Sequence, residues 1–503
     1  MRISEIIKSL RKLPLSVWGG FLLLCSITSC LDDEEYSLSP SDRLKFSTDT
    51  VKLDTVISGQ PTNTYTFQVY NNAKKSLRIP HVYLASGSAS PYRVNVDGTY
   101  LEGGVGKDFE ISDGDSLRVF LFLNAPDRDS DIPVAENDKL VFVTEAGVSQ
   151  EVVLTAAGQS VIPLKGKIIK EDTLLNSRRP YQILDSLVVE EGATLQLSAG
   201  VNLLFHPNAN FVVKGRVIAE GNPELPVTVR GDRLGNMFSD QPYDRIPGQW
   251  GGIELRESSY GNRFNYCDIH SGTFGIRCDS SDVEQEKLRL ENSIVHNMSG
   301  DVLKVKMSKV FVGNTQLTNA GGDCVSLLGG HATFVHCTLA NFYSFTGGRG
   351  VALSFSNYEG ESRLPLYSAA FYNCVVTGYS EDEVMGGKSK DFEDDEFNYL
   401  FHSCLLNTPE YEDEKVVNCL WDNNDNEVSR EKNFYPEFDF KQLIFSFGLS
   451  KLSLAVNQAD AEITSKYYPA DRLGRSRNLD EGPDMGCYEA DLNLQEEDKE
   501  SVE

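Results

Sequence analysis

An all-β chain, with an N-terminal β-sandwich followed by a long parallel β-helix, is what the sequence predicts. Three observations carry that expectation. The 503 residues hold 41 Gly, 21 Tyr and 26 Phe but only 6 Met, a balance that suits strands and tight turns. Apolar residues alternate in short runs that stop at Asn, Gly or Asp. A short motif also recurs through the middle of the chain at intervals of 26, 22, 22, 37 and 30 residues, the range of stacked repeat architectures.

The chain opens on Arg2, Lys8, Arg11 and Lys12, then an apolar stretch from Leu13 to Leu24 broken by Pro14, Gly19 and Gly20. That pattern reads as a secretory signal over residues 1–29 and is too short for a membrane span. It ends in Ile27-Thr28-Ser29-Cys30, which resembles a lipobox, so Cys30 is the expected site of lipid attachment. Leu31-Asp32-Asp33-Glu34-Glu35 resembles the acidic export tag of Bacteroidota surface lipoproteins. The resemblance implies a lipid anchor in the outer membrane, with the protein facing the cell exterior and residues 30–39 as an acidic tether.

Residues 40–160 come next. Thr64-Tyr65-Thr66-Phe67-Gln68-Val69-Tyr70 alternates and stops at Asn71-Asn72. Leu117 to Leu123, Lys139 to Val143 and Val148 to Thr155 are further strand-like runs. Short strands with polar turns predict an immunoglobulin-like β-sandwich. Two motifs here fail as chemistry. Gly104-Val105-Gly106-Lys107 lacks the first Gly and the Ser or Thr of a phosphate loop. Asp127-Arg128-Asp129-Ser130-Asp131 has Ile132 where a calcium loop needs Gly. Both read as surface loops.

The repeat places an apolar residue at −3, often Asn or His at −1, a small residue at 0, an apolar residue at +2 and often Asn at +4. Its zero positions are Cys267, Ser293, Thr315, Cys337, Cys374 and Cys404, with Cys419 a shorter copy 15 residues on. Strand side chains alternate, yet −3 and +2 are both apolar despite opposite parity. A corner at −2/−1 resolves this, and a coil of about 22 residues with such corners is a parallel β-helix. The eight cysteines beyond residue 30 then read as small buried fillers, with disulfides or metal as the alternative. No CxxC or HExxH pair is present, so no metal site and no cofactor is expected. Asn297, Asn319 and Asn341, spaced by 22, are expected to stack with each amide bonding the next.

Upstream, Leu187 to Leu197 and Phe211 to Gly221 alternate around Gly192 and Gly215, and Gly248 to Ile253 follows. These runs resemble the opening coils of right-handed (pectin-lyase-like) β-helix proteins. Asp471-Arg472-Leu473-Gly474-Arg475-Ser476-Arg477 and Pro483-Asp484-Met485-Gly486-Cys487-Tyr488-Glu489 resemble a C-terminal signature of exported β-helix proteins, Met485 and Cys487 departing conservatively. The resemblance covers residues 161–490, with a right-handed helix at 161–430, a cap region at 431–490 and an acidic tail at 491–503.

The net charge of −27, or −30 once residues 1–29 are removed, excludes nucleic acid as a partner and disfavours anionic polymers. Asp301 and Asp323 share the 22-residue spacing after Gly300 and Gly322; they read as turn caps, with cation binding or a shifted pKa as the alternative. His270 and His296 both fall at +3 and are expected to face solvent. The insertion from Glu381 to Glu396 reads as a solvated loop, with a cation site as the alternative. If a catalytic site exists, Asp301, Asp323, His296 and Lys304 are its candidates, on adjacent coils. The function expected is a non-catalytic surface lipoprotein presenting its β-helix to a glycan or a surface protein. The alternative is a polysaccharide lyase or glycoside hydrolase.

Overall fold

Strand-forming runs become strands almost throughout the computed structural model, which describes residues 35–238, 241–391, 394–423, 426 and 428–491. Cys30, the segment 1–29 and residues 492–503 lie outside the described residues. Two compact units divide the chain, the first made of residues 1–51, 63–122 and 138–154 and the second of the remainder.

In the first unit alternation builds two antiparallel sheets. One orders Leu44–Phe46, Tyr65–Asn71, Ser116–Leu123, Tyr92–Val96 and Thr99–Tyr100. The other orders Thr50–Ile57, Ser149–Gln159, Asp138–Val143, Leu77–Leu84 and Val105–Ile111, its first two strands running on into residues of the second unit. Phe67, Val69, Val119 and Leu121 are buried from the first sheet, Ile79, Val82, Leu140 and Phe142 from the second. The Phe46 and Phe142 rings meet at 5.2 Å, so the sheets share a core. Val105-Gly106-Lys107, expected in a surface loop, instead lies in the strand Val105–Ile111, because it pairs with Leu77–Leu84 and sets His81 opposite Lys107.

The second unit is built of long parallel sheets, a parallel β-helix in its ladder. Pairing begins between Ile162–Ile169 and Tyr181–Val189 and runs to Leu420–Trp421. A coil supplies one strand to a ten-stranded sheet and two to an eighteen-stranded sheet. Lys309–Gly313, Gln316–Ala320 and Val325–Leu328, for example, sit beneath Gly330–Val335, Thr338–Asn341 and Leu353–Ser356, with Phe311 against Thr333, Leu317 against Leu339 and Val325 against Leu353. The inner faces form one continuous apolar core from Ile169 to Leu406. The 15-residue copy at Cys419 also pairs, Phe401 with Val416 and Leu405 with Leu420.

The corners explain the motif. Residues at −1 (Tyr266, Asn292, Asn314, His336, Asn373, Ser403 and Asn418) all have φ between 49° and 54°. This left-handed conformation is one that Asn tolerates best among residues with a Cβ. Ser271, Asn297 and Asn319, at +4, turn a second corner with φ of 54° to 63°. Position 0 is fully buried at Cys267, Ser293, Thr315, Cys337, Cys374 and Cys404. These side chains do more than fill space, because each donates across the corner to the carbonyl at −2. Ser293 Oγ to Glu291 O is 2.7 Å, Thr315 Oγ1 to Gly313 O 2.8 Å and Cys337 Sγ to Val335 O 3.5 Å. All eight described cysteines are free thiols.

Two expectations need correction. Asn319 Nδ2 donates to Asn297 Oδ1 at 3.2 Å, but Asn341 leaves the ladder and donates to Gly322 O and Gly350 O. The coil bulges between residues 342 and 352, and the amide is drawn to those carbonyls. The stretch from Glu381 is also not all solvated loop. Val384–Gly387 is a ladder strand against Leu353–Ser356, and Glu383 is fully buried, receiving Ala352 N at 2.7 Å and Ser380 N at 2.6 Å.

The signature at 471–489 acts as a latch over the outer face of the ladder. Asp471 accepts the amides of Leu473, Arg475 and Glu489. Arg477, fully buried, donates to Glu489 Oε1 at 2.5 Å, to Asp484 O at 3.1 Å and to Asn314 Oδ1 at 2.9 Å. Cys487 N reaches Thr338 Oγ1 at 3.1 Å and Tyr488 OH reaches Gln316 Oε1 at 2.8 Å. Met485 and Cys487 join Ala340, Val375 and Leu405 in a second apolar cluster. Gly486 is required here: its φ is +87°, and a Cβ would stand 2.7 Å from Thr338 Oγ1.

Candidate functional site

The four residues expected to converge do not meet as a group. Asp301 Oδ1 accepts Asp323 N at 2.9 Å. Asp323 accepts Val351 N at 3.0 Å and the Ser354 hydroxyl at 2.5 Å. Each carboxylate therefore caps the turn of the next coil. Lys304 pairs with Glu359 at 3.5 Å, and Lys306 shares that carboxylate at 2.6 Å. His296 alone belongs to a cluster, and its partners are different ones.

That cluster lies on the outer face of the eighteen-stranded sheet. Parallel register stacks His270 against His296 and Asp268 against Ile294, bringing the two imidazole centroids to 5.0 Å. Asp268 Oδ1 receives His270 Nδ1 at 2.8 Å and lies 3.3 Å from His296 Nε2. His270 Nε2 donates to Asp244 Oδ1 at 2.7 Å, and Arg230 pairs with the same oxygen at 2.6 Å. Trp250 Nε1 donates to the His270 carbonyl at 2.8 Å, fixing its backbone. Alongside, Asp232 accepts Gln182 Nε2 and bonds His206 Nδ1, both at 2.8 Å.

His270 departs from the expectation of a solvent-facing side chain. It points away from the core, yet it is only 6% exposed, because the segment Tyr243–Arg245 covers it. The Ser271 hydroxyl donates to Asp244 O and Asn297 Nδ2 to Arg245 O, holding that segment down. Solvent reaches the cluster through the side chains of His296 and Asp268, 24% and 30% exposed.

Burial and charge work against each other here. Burial disfavours an imidazolium at His270, but the Asp268 charge and the hydrogen bonds to both carboxylates outweigh it and push the group up to about 9. Burial alone would lift Asp268, yet His270 and His296 hold it well below the usual carboxylate range. For Asp244 the same contest, settled by His270 and Arg230, ends at about 2. Both carboxylates are anions at neutral pH and His270 is a cation between them.

Asp244, Arg230 and Asp268 carried no signal of their own in the sequence. The available clue was that His270 and His296 share position +3 on consecutive copies, so register alone makes them neighbours. Asp268 at +1 then lies on the same strand face as His270. Asp244 and Arg230 arrive from outside the repeat, and nothing local marks them.

No family model matches the chain. A stretch of 65 residues is 34% identical to Protein bark beetle of Drosophila melanogaster, taking in 13% of this chain and 2% of that protein. The chain thus spans a very small part of that curated relative. The catalytic unit of a GH87 α-1,3-glucanase from Streptomyces thermodiastaticus is 11% identical, over 71% of this chain and 74% of that one, with a TM-score of 0.22. A family 123 glycoside hydrolase from Clostridium perfringens is 7% identical over 26% and 30%, with a TM-score of 0.19. The ASH/PapD-like domain of human CEP192 is 14% identical over 26% and 94%, with a TM-score of 0.17. Scores this low argue for neither a fold nor a function.

Proposed function

We propose that this chain is an exported, lipid-anchored surface protein that acts by binding a glycan along the outer face around His296 and Asp268. Ile27-Thr28-Ser29-Cys30 and the acidic residues after it support the anchor, which places the protein on the outer membrane facing outward. The accompanying fold reading is an immunoglobulin-like sandwich at 40–160 before a right-handed coil. Two antiparallel sheets with a shared core support the first, and the strong handedness preference of parallel crossovers the second.

One observation carries the binding reading. Asp244 and Asp268 are locked as anions by the imidazolium between them, while hydrolysis by a carboxylate pair needs one carboxyl that keeps its proton. Glu383 and Glu489, whose burial pushes both up to about 7, are spent on backbone amides and Arg477 inside the fold. What remains is a row of fixed donors and acceptors, suited to sugar hydroxyls. The net charge favours a neutral glycan over a polyanion.

A second reading has one observation in its favour. His296 is half-buried, with a carboxylate at its Nε2, and an imidazole oriented by a carboxylate is a general-base arrangement. An array of neutral and acidic glycans, probed with the purified chain, separates the two. Binding without product, weakened about tenfold or more in His296→Ala while the melting profile holds, is expected. Unsaturated or reducing-end products that vanish in His296→Ala would establish the second reading, and no glycan bound at all would overturn both. For the anchor, Cys30→Ala should move the protein from the membrane to the soluble fraction and abolish labelling by a palmitate analogue.

A further inference from the structure

We infer that Asp268, His270 and His296 form a binding site for a divalent transition metal of the zinc class, with Asp244 and Arg230 as its positioning shell. The inference rests on geometry and not on the glycan reading. Because metal would replace the His270 proton on the same side chains, the glycan array is run on chelator-stripped protein and the titration without glycan, which keeps the two outcomes apart.

Three donor atoms of suitable chemistry, one carboxylate oxygen and two imidazole nitrogens, lie within 4.8 Å of one another. Zinc bonds of ~2.0–2.1 Å seat neighbouring ligand atoms about 3.4 Å apart in a tetrahedron. The separations from Asp268 Oδ1, 2.8 Å to His270 Nδ1 and 3.3 Å to His296 Nε2, are close to that spacing. The two imidazole nitrogens, within 4.8 Å of each other, would be drawn together by a shared metal.

The stronger argument is what stands behind His270. Its second ring nitrogen donates to the Asp244 carboxylate at 2.7 Å, which Arg230 holds at 2.6 Å. A carboxylate behind a ligating imidazole fixes its tautomer and aims the other nitrogen at the metal. Tyr243–Arg245 brings that carboxylate from outside the repeat, so the shell is built separately from the stack of histidines. The exchange balances: the metal replaces the proton between His270 Nδ1 and Asp268, that proton goes to solvent, and Nε2–H stays on Asp244. Three protein ligands leave a position open toward the exposed side, where His296 and Asp268 meet solvent.

The full chain, stripped with chelator and freed of any histidine tag, is titrated with Zn2+ and, in parallel, with Co2+. One equivalent bound at micromolar metal is expected. His296→Ala, a partly exposed position chosen so that folding survives, should weaken binding at least tenfold. Asp244→Asn, which touches no metal, should weaken it about 10- to 100-fold. The near-ultraviolet spectrum of the Co2+ form should lack the sulfur-to-metal band that any cysteine site would give. No binding at micromolar metal, equal binding in His296→Ala with an unchanged melting profile, or a sulfur band would each overturn the assignment.

Discussion

At the level of single residues, the small polar side chain at position 0 joins two coils and closes a corner. Cys267 N donates to Ser293 Oγ at 2.9 Å and Cys374 N to Cys404 Sγ at 3.4 Å, each one coil along. Burial pushes the Cys278 and Cys487 thiols up to about 12 and about 11, so they stay protonated and poor as nucleophiles. Cys337→Ser keeps a donor and should be nearly silent. Cys337→Ala loses a weak bond to the Val335 carbonyl and should cost about 1 kcal/mol. Cys337→Asp buries a charge between coils and should cost several times more, read from denaturant melts. Equal tolerance of all three would mean the position is not buried. Smallness and burial at this position were legible in the sequence. The hydrogen bond was not, because its acceptor two residues back comes within reach only through the left-handed corner.

Turns are the element that decides how coils stack. Asp301 and Asp323 carry the amides of Asp323 and Val351, and the glycines above them leave room for the carboxylates. A Cβ on Gly350 would stand 2.2 Å from Asp323 Oδ1 and 2.5 Å from the Gly322 carbonyl carbon. Backbone cannot yield as a side chain can. Gly350→Ala should therefore destabilise by roughly 3 kcal/mol, whereas Asp323→Asn keeps an acceptor and should cost about 1 kcal/mol. Thermal melts that ranked the two the other way would refute the stacked-turn account. The 22-residue spacing pointed to this ladder, and turn capping is what the carboxylates do. It gave no hint that Lys304 would pair with Glu359, which sits on an excursion absent from the other copies.

Across the whole molecule, three buried groups give stability the same slope against pH. Glu383 and Glu489 take up their proton near 7 rather than at the usual 4.5. The folded state thus holds more protons than the unfolded chain between those values, and stability falls as pH rises through them. His270 titrates at about 9 against an ordinary 6.5. Its contribution is fully present below 6.5 and disappears as pH rises through 9, about 3 kcal/mol at 1.4 kcal/mol per unit. Buried His336, held neutral well below its ordinary 6.5, works the other way below that pH. Melts in chelator should therefore show a steady decline from about pH 7 to pH 9. His270→Gln should flatten the decline above pH 6.5. A wild-type maximum at pH 8 or higher would contradict these assignments. None of the three groups could be identified from composition, since burial of a carboxyl is decided by distant segments closing over it.

The latch at 471–489 closes on coils that lie well before it in the chain. A chain emerging from its N-terminus delivers the coils first, and until residues 471–489 follow, Met485 and Cys487 are missing from the cluster they form with Ala340, Val375 and Leu405. A product cut short before Asp471 by a premature stop or a protease keeps Phe434, Phe447 and Leu449 but lacks the rest of that cover for good. Such a fragment can hold its coils and still be sticky, the signature that chaperones and proteases read as unfinished. The same residues that seal the fold thereby report that synthesis has run past them.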